Sequence, residues 1–204
     1  MQRLQRGYSV ALVAGLLALA ALLGVIPTIT PVSAHECPAP GPSPENPKIT
    51  CVFQGRMTGG GRFDVTSNFA PSPEVTPTLL THGFEVHCDV TDRPNNIEVN
   101  WKDSAGVEHH FHMNDMVSAH CEWNPALGSP NPPRADFNTW VGSGTGKYDG
   151  TAGASIYAIF TDQGQPAAGK DPSTIVIYSA DGTLVLNWSG FLLAGAQQAH
   201  NSKS

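Results

Sequence analysis

Phe84-Glu85-Val86-His87-Cys88 and, beyond a turn at Pro94-Asn95-Asn96, Ile97-Glu98-Val99-Asn100-Trp101-Lys102 decide how this chain folds. Both stretches alternate apolar and polar residues with a period of two. That is the pattern of a strand with one face in a core and the other in water. Phe84, Val86 and Cys88 share a face opposite Glu85 and His87, while Ile97, Val99 and Trp101 oppose Glu98, Asn100 and Lys102. Leu184, Leu186 and Trp188 alternate in the same way with Val185, Asn187 and Ser189. Residues 154–160 and 174–178 are apolar at both parities, which predicts central strands covered on each side. Asp181-Gly182 separates two strand-like runs by two residues, a hairpin signal, and residues 164–172 form a longer connection. Gly59-Gly60-Gly61 and Gly142-Ser143-Gly144-Thr145-Gly146 predict bulges or close backbone approach. Beyond the N-terminal apolar run, no segment keeps a 3.6-residue period. Eight to ten short strands without helices define a single-domain, all-β, antiparallel architecture, either a β-sandwich or a small β-barrel. The sequence does not choose between these two.

Outward from this core, the ends read differently. Arg3 and Arg6 precede an uncharged apolar run at 10–26, then Pro27, Pro31 and the small-residue pattern Val32-Ser33-Ala34. Residues 1–34 are therefore expected to be a signal peptide, and the product secreted. An uncleaved N-terminal membrane anchor is the alternative, because the run approaches the about 20 residues of a membrane span. Residues 35–48 form a Pro-rich leader with Pro38, Pro40, Pro42, Pro44 and Pro47. The all-β domain is expected over 49–195, with a flexible tail at 196–204. Cleavage after Ala34 leaves nine basic residues against 17 acidic ones, a net charge of −8. That balance argues against a nucleic-acid partner and against insertion into a membrane once the signal is gone. A cell-surface or extracellular protein or glycan is the expected kind of partner. Cys37, Cys51, Cys88 and Cys121 are an even set in an exported chain and predict two disulfides. Of three connectivities, Cys37–Cys51 with Cys88–Cys121 is favoured, the first stapling the leader to the first strand. No CxxC pair supports a structural zinc site.

Several phrases resemble a family of small exported bacterial modules known as post-COAP domains. They are Thr58-Gly59-Gly60-Gly61, His82-Gly83-Phe84 through Cys88-Asp89, and Asn95-Asn96-Ile97-Glu98-Val99-Asn100-Trp101. Phe111-His112-Met113, Cys121, the glycine-rich stretch at 142–146, Phe160-Thr161-Asp162-Gln163-Gly164-Gln165-Pro166 and Gln198-Ala199-His200 complete the set. The resemblance covers most of 55–200 in order. It implies a β-rich extracellular module, free or attached to larger surface proteins, with no established activity. The chain departs from the family at Gln165, where an acid is usual, and in its His-rich stretch at 109–112.

The constellation with most chemistry is Glu108-His109-His110-Phe111-His112, followed by His120. On a strand Glu108, His110 and His112 project from one face, and imidazoles at i and i+2 stand about 6–7 Å apart. That spacing supplies two ligands of a zinc or copper site, with His87, His120 or Glu108 as candidates for a third. The bland alternative is an exposed polar face that happens to be His-rich. Asp162, Gly164 and Asp171 sit in a polar loop that lacks the acid density of an EF-hand, so a plain connection is expected. Residues 142–147 miss the phosphate-loop pattern at Val141 and Tyr148. No GxSxG elbow occurs, and bridged cysteines are not nucleophiles, so no catalytic residue is assigned. Trp101 and Trp188 fit inward strand positions rather than a sugar-binding platform, and Asn187-Trp188-Ser189 has only the form of a glycosylation site. The sequence thus supports a non-catalytic extracellular module with a binding or structural role. The alternative is a secreted metal-binding protein.

Overall fold

Closure of the sheet settles the choice between sandwich and barrel. The structure is a computed structural model and describes residues 53–68, 77–127 and 135–202. The expected signal peptide, the Pro-rich leader and the Cys37–Cys51 bridge lie outside the described residues. Eight strands follow one another as β1 (Gly55–Phe63), β2 (Leu79–His87), β3 (Asn96–Lys102), β4 (Glu108–Glu122), β5 (Thr139–Tyr148), β6 (Thr151–Thr161), β7 (Pro172–Tyr178) and β8 (Leu184–Asn201). Each pairs antiparallel with the next, and β8 pairs back onto β1, so the described sheet closes into a barrel. Closure removes the exposed edges that would otherwise invite association.

The period-two pattern fills the interior as expected. Leu80, Phe84 and Val86 of β2, Ile97, Val99 and Trp101 of β3, and Ile175 and Ile177 of β7 are all buried. Aromatic rings occupy much of the space: Phe84 and Phe160 stack with centroids 3.9 Å apart, and Phe63 lies 4.1 Å from Trp188. An eight-stranded barrel has an interior just wide enough for such side chains.

Three expectations need correction. First, residues 154–160 and 174–178 are not covered on both sides. Tyr157 and Tyr178 are 43% and 41% exposed, while Ile156, Ala158, Ile175 and Ile177 are buried. A single closed layer has only one interior, so apolar residues at the other parity face outward. Second, the tail predicted from residue 196 is strand as far as Asn201, with Gln197 and Ala199 buried. Closure requires a partner for β1, and residues 194–201 supply it along Gly55–Arg62. Third, Asp181-Gly182 lies in a five-residue loop between Tyr178 and Leu184, held by the Ser179 N–H on the Thr183 carbonyl. The two-residue turn is instead Asp149-Gly150, with φ of 47° and 82°, the mirror-image geometry that suits strand twist.

The glycine-rich stretches do serve close approach. A Cβ on Gly142 would overlap the Trp140 ring, and one on Gly144 would overlap Met113. One disulfide, Cys88–Cys121, is present among the described residues. It sits at the barrel end that carries the β2–β3, β4–β5 and β6–β7 connections. The opposite mouth carries the β1–β2, β3–β4, β5–β6 and β7–β8 connections.

Candidate functional site

At this second mouth the strand ends gather a set of aromatic and charged groups. Trp101 is the last inward residue of β3 and pairs in register with His109 near the start of β4. Tyr148 ends β5, and the turn that follows presents Asp149. The three rings pack together: Trp101 to His109 5.3 Å, Trp101 to Tyr148 5.6 Å and His109 to Tyr148 5.6 Å between centroids.

Polar contacts then fix the imidazole. His109 Nδ1 lies 2.8 Å from Asp149 Oδ2 and 2.9 Å from the Tyr148 hydroxyl, and Nε2 lies 3.5 Å from Asp103 Oδ2. Asp149 is itself held, because its Oδ1 accepts the His110 backbone N–H at 2.8 Å. Asp103 Oδ1 accepts the Val107 N–H, which closes the β3–β4 loop. Burial pushes the Asp149 carboxyl upward, but the His109 hydrogen bond, the His110 N–H and the His109 charge together hold it below its ordinary value. Asp103 is also held low, first by the Val107 N–H. Burial and then the Asp149 charge raise the Tyr148 phenol.

Beside this cluster opens a cleft of about 350 Å³, lined by Leu79, Thr81, Asn100, Trp101, Lys102, Glu108, His109, His110 and Asp149. Lys102 and Glu108 form an ion pair of 3.2 Å at its edge. Trp101 is 3% exposed and packs against His109 and Tyr148, whereas the lining offers imidazoles, an ammonium, an amide and carboxylates. It contains neither serine nor cysteine, and the Thr81 hydroxyl points to the Asn100 carbonyl at 3.5 Å. The arrangement offers hydrogen-bond donors and acceptors to a small molecule.

The residues singled out from sequence are distributed unevenly. Glu108 and His110 reach the cleft. His112 lies on the same outward face as His110 but pairs with Glu98 at 3.2 Å. His120 is near the far end of β4, 3.6 Å from Glu122. His87 ends β2 at that far end and contacts Asn95 through Nδ1 at 3.2 Å. Among the described residues no three His, Cys, Asp or Glu side chains are grouped so as to hold a metal ion. The central residue, His109, shares its parity with Phe111 and Met113, on the face opposite Glu108, His110 and His112. Its signal was a polar side chain on the inward face at a strand start, opposite an inward tryptophan.

A second polar group lies inside the barrel. His82 points inward between Phe63, at 4.3 Å, and Phe84 and Phe160, at 5.5 and 5.6 Å. Burial pushes its pKa down to about 3. Its Nε2 approaches Gln197 Nε2 at 3.4 Å, while among the described residues its Nδ1 and the Trp188 indole N–H meet no hydrogen-bond partner. Gln197 in turn accepts the Thr161 N–H and donates to Ser173. Asp162 accepts the N–H groups of Gly164 and Ala199, and Asp171 those of Gln163 and Gln197. These two acids therefore organise the β6–β7 connection and tie it to β8. Burial raises Asp171 to about 7, assisted by the Asp162 charge and opposed by its two backbone donors.

Fold and site together define a closed, antiparallel, eight-stranded barrel with a polar cleft beside an aromatic cluster at one mouth. Comparison with known proteins finds no matching family model, curated protein or solved structure.

Proposed function

We propose that the chain is an exported, non-catalytic binding module, and that its ligand site is the cleft beside His109. The observation that carries this is the His109 cluster, in which an imidazole is clamped between two carboxylates and two aromatic rings beside an open volume of about 350 Å³. Polar groups fixed in advance favour recognition, because little side-chain freedom is lost on binding. The motif resemblance to post-COAP domains and the disulfide agree with an extracellular setting. A small polar organic molecule that both donates and accepts hydrogen bonds fits the lining chemistry.

The test is a fragment mixture titrated into the purified protein and followed by backbone NMR. Binding predicts shifts concentrated at Thr81, Asn100, Lys102 and His110, abolished by His109→Ala. Saturable turnover of any hydrolase substrate, or shifts confined to the opposite mouth, would end this reading. The metal alternative has the outward pair His110 and His112 behind it. Equal zinc uptake by wild type and His110→Ala/His112→Ala would dismiss it.

A further inference from the structure

The cleft opens on the outer wall of the barrel, where Thr81, Asn100 and His110 take the outward parity of β2, β3 and β4. These three belong to one register row: Thr81 pairs with Asn100, and Asn100 with His110. The same row continues onto β1, where Arg62 pairs with Thr81 and is exposed. Neighbours in register sit about 5 Å apart, so the row extends roughly 14 Å along the wall. Charged residues in the rows to either side satisfy one another. Lys102 pairs with Glu108 at 3.2 Å, His112 with Glu98 at 3.2 Å, and Arg56 with Glu85 at 3.5 Å. Within the row, Asn100 and His110 lend only backbone groups to the contacts of Thr81 and Asp149. The side chains of Arg62, Asn100 and His110 have no hydrogen-bond or ion-pair partner among the described residues.

Beside this row the next outward position of β2 is Gly83. Its backbone is not left-handed, and a Cβ built on it would meet nothing within 4 Å. Neither conformation nor packing therefore requires glycine here, although glycine weakens a strand. What the missing side chain does is leave the wall bare next to Thr81, as close approach of a ligand needs. We infer, given the cleft as the ligand site proposed above, that its ligand is an acidic oligosaccharide. Its oxyanion sits on Arg62, its hydroxyls meet Thr81, Asn100 and His110, and its body passes over Gly83. Sugar hydroxyls both donate and accept, which matches a hydroxyl, an amide and an imidazole. A guanidinium suits the anionic end because it can give two parallel hydrogen bonds to one carboxylate. The chain carries a net charge of −6, yet the acids nearest the row are already engaged. Glu85, Glu98, Glu108 and Asp149 each face a basic side chain, so Arg62 sets the local sign.

Calorimetric titration and backbone NMR with three probes test this: tetragalacturonate, a sulfated carrageenan tetrasaccharide and neutral cellotetraose. At least one acidic chain is expected to bind about tenfold more tightly than cellotetraose, with shifts at Thr81, Gly83, Asn100 and His110. The tighter of the two acidic chains tells carboxylate from sulfate as the group on Arg62. Arg62→Gln is expected to remove the preference for acid and leave cellotetraose binding unchanged. Gly83→Val is expected to hold or raise the urea midpoint while abolishing binding of the acidic chain, a split that a purely structural glycine would not give. Equal affinity for all three chains, or no binding of any, overturns the inference. So does an Arg62→Gln protein that keeps the acid preference, or a Gly83→Val protein that binds normally or unfolds at clearly lower urea. In each of these cases the cleft remains the ligand site if the fragment mixture still shifts Thr81, Asn100, Lys102 and His110. It falls as well only when fragments give no shifts there.

Discussion

His109 shows how much one side chain organises at the mouth. Its ring contacts Trp101 and Tyr148 and its nitrogens face Asp149 and Asp103. His109→Ala is expected to lower stability by about 1–2 kcal/mol, read as a shift in urea midpoint. Carboxyl NMR titration of the same variant should show Asp149 moving up clearly, since His109 supplies both a hydrogen bond and a charge to it. Asp103 should move less, because its main support is the Val107 N–H. Deep in the barrel, His82 and Asp171 act in opposite directions on pH. His82 has a folded pKa of about 3 against an ordinary value of 6.5. Its contribution is therefore present above pH 6.5 and is lost as pH falls toward 3. Asp171 has a folded pKa of about 7, raised from 3.8. It contributes fully below 3.8, and that stability is lost as pH rises through 7. Between pH 4 and 7 the two offset one another. His82→Phe, which also removes an unpartnered buried nitrogen, should leave a protein that gains stability on acidification in this window. Asp171→Asn should leave one that loses it, from a lower baseline because the amide NH₂ meets a backbone donor. Denaturant midpoints measured at several pH values decide both, and parallel profiles for the two variants would refute the assignments.

At the level of elements, alternation located parts of β2, β3 and β8, and runs apolar at both parities located parts of β6 and β7. The pattern failed where alternation is weak. Residues 194–201 read Ala-Gly-Ala-Gln-Gln-Ala-His-Asn, with no bulky apolar set, yet they form the half of β8 that seals the barrel against β1. Only a partner strand could reveal them. Truncation after Gly195 is therefore expected to remove the Gln197 and Ala199 contacts to Asp171 and Asp162 and abolish cooperative unfolding, as followed by near-UV circular dichroism. Substitution within β5 tests the glycine reading. Gly142→Val should cost at least 2–3 kcal/mol, because its Cβ overlaps the Trp140 ring and the Ser118 carbonyl lies close by. The calcium-like loop at 162–171 illustrates the reverse case. Its acids resemble ligands in sequence, but their oxygens receive four backbone N–H groups, and such contacts cannot be read without knowing which strands adjoin.

Across the whole molecule, closure and the disulfide act on different ends. The Cys88–Cys121 bridge spans 33 residues of sequence at the end opposite the cleft. In the chain-entropy picture, its reduction or a Cys88→Ser/Cys121→Ser replacement costs about 3–4 kcal/mol. The cleft lies at the other mouth, so its ligand-induced NMR shifts should survive reduction wherever the barrel remains folded. Loss of the shifts with the fold intact would show that the two ends are coupled.

By itself, the sequence determined the strand class and the inward faces of β2, β3 and the first half of β8, because side-chain alternation is a local property, and it favoured Cys88–Cys121 among three connectivities. Tertiary structure alone decided that the sheet closes, that residues 196–201 belong to it, and that His109 rather than His112 is the centre of the polar cluster. Each of these depends on which strands become neighbours. That is settled by burying one shared interior, a cooperative outcome that no single segment encodes.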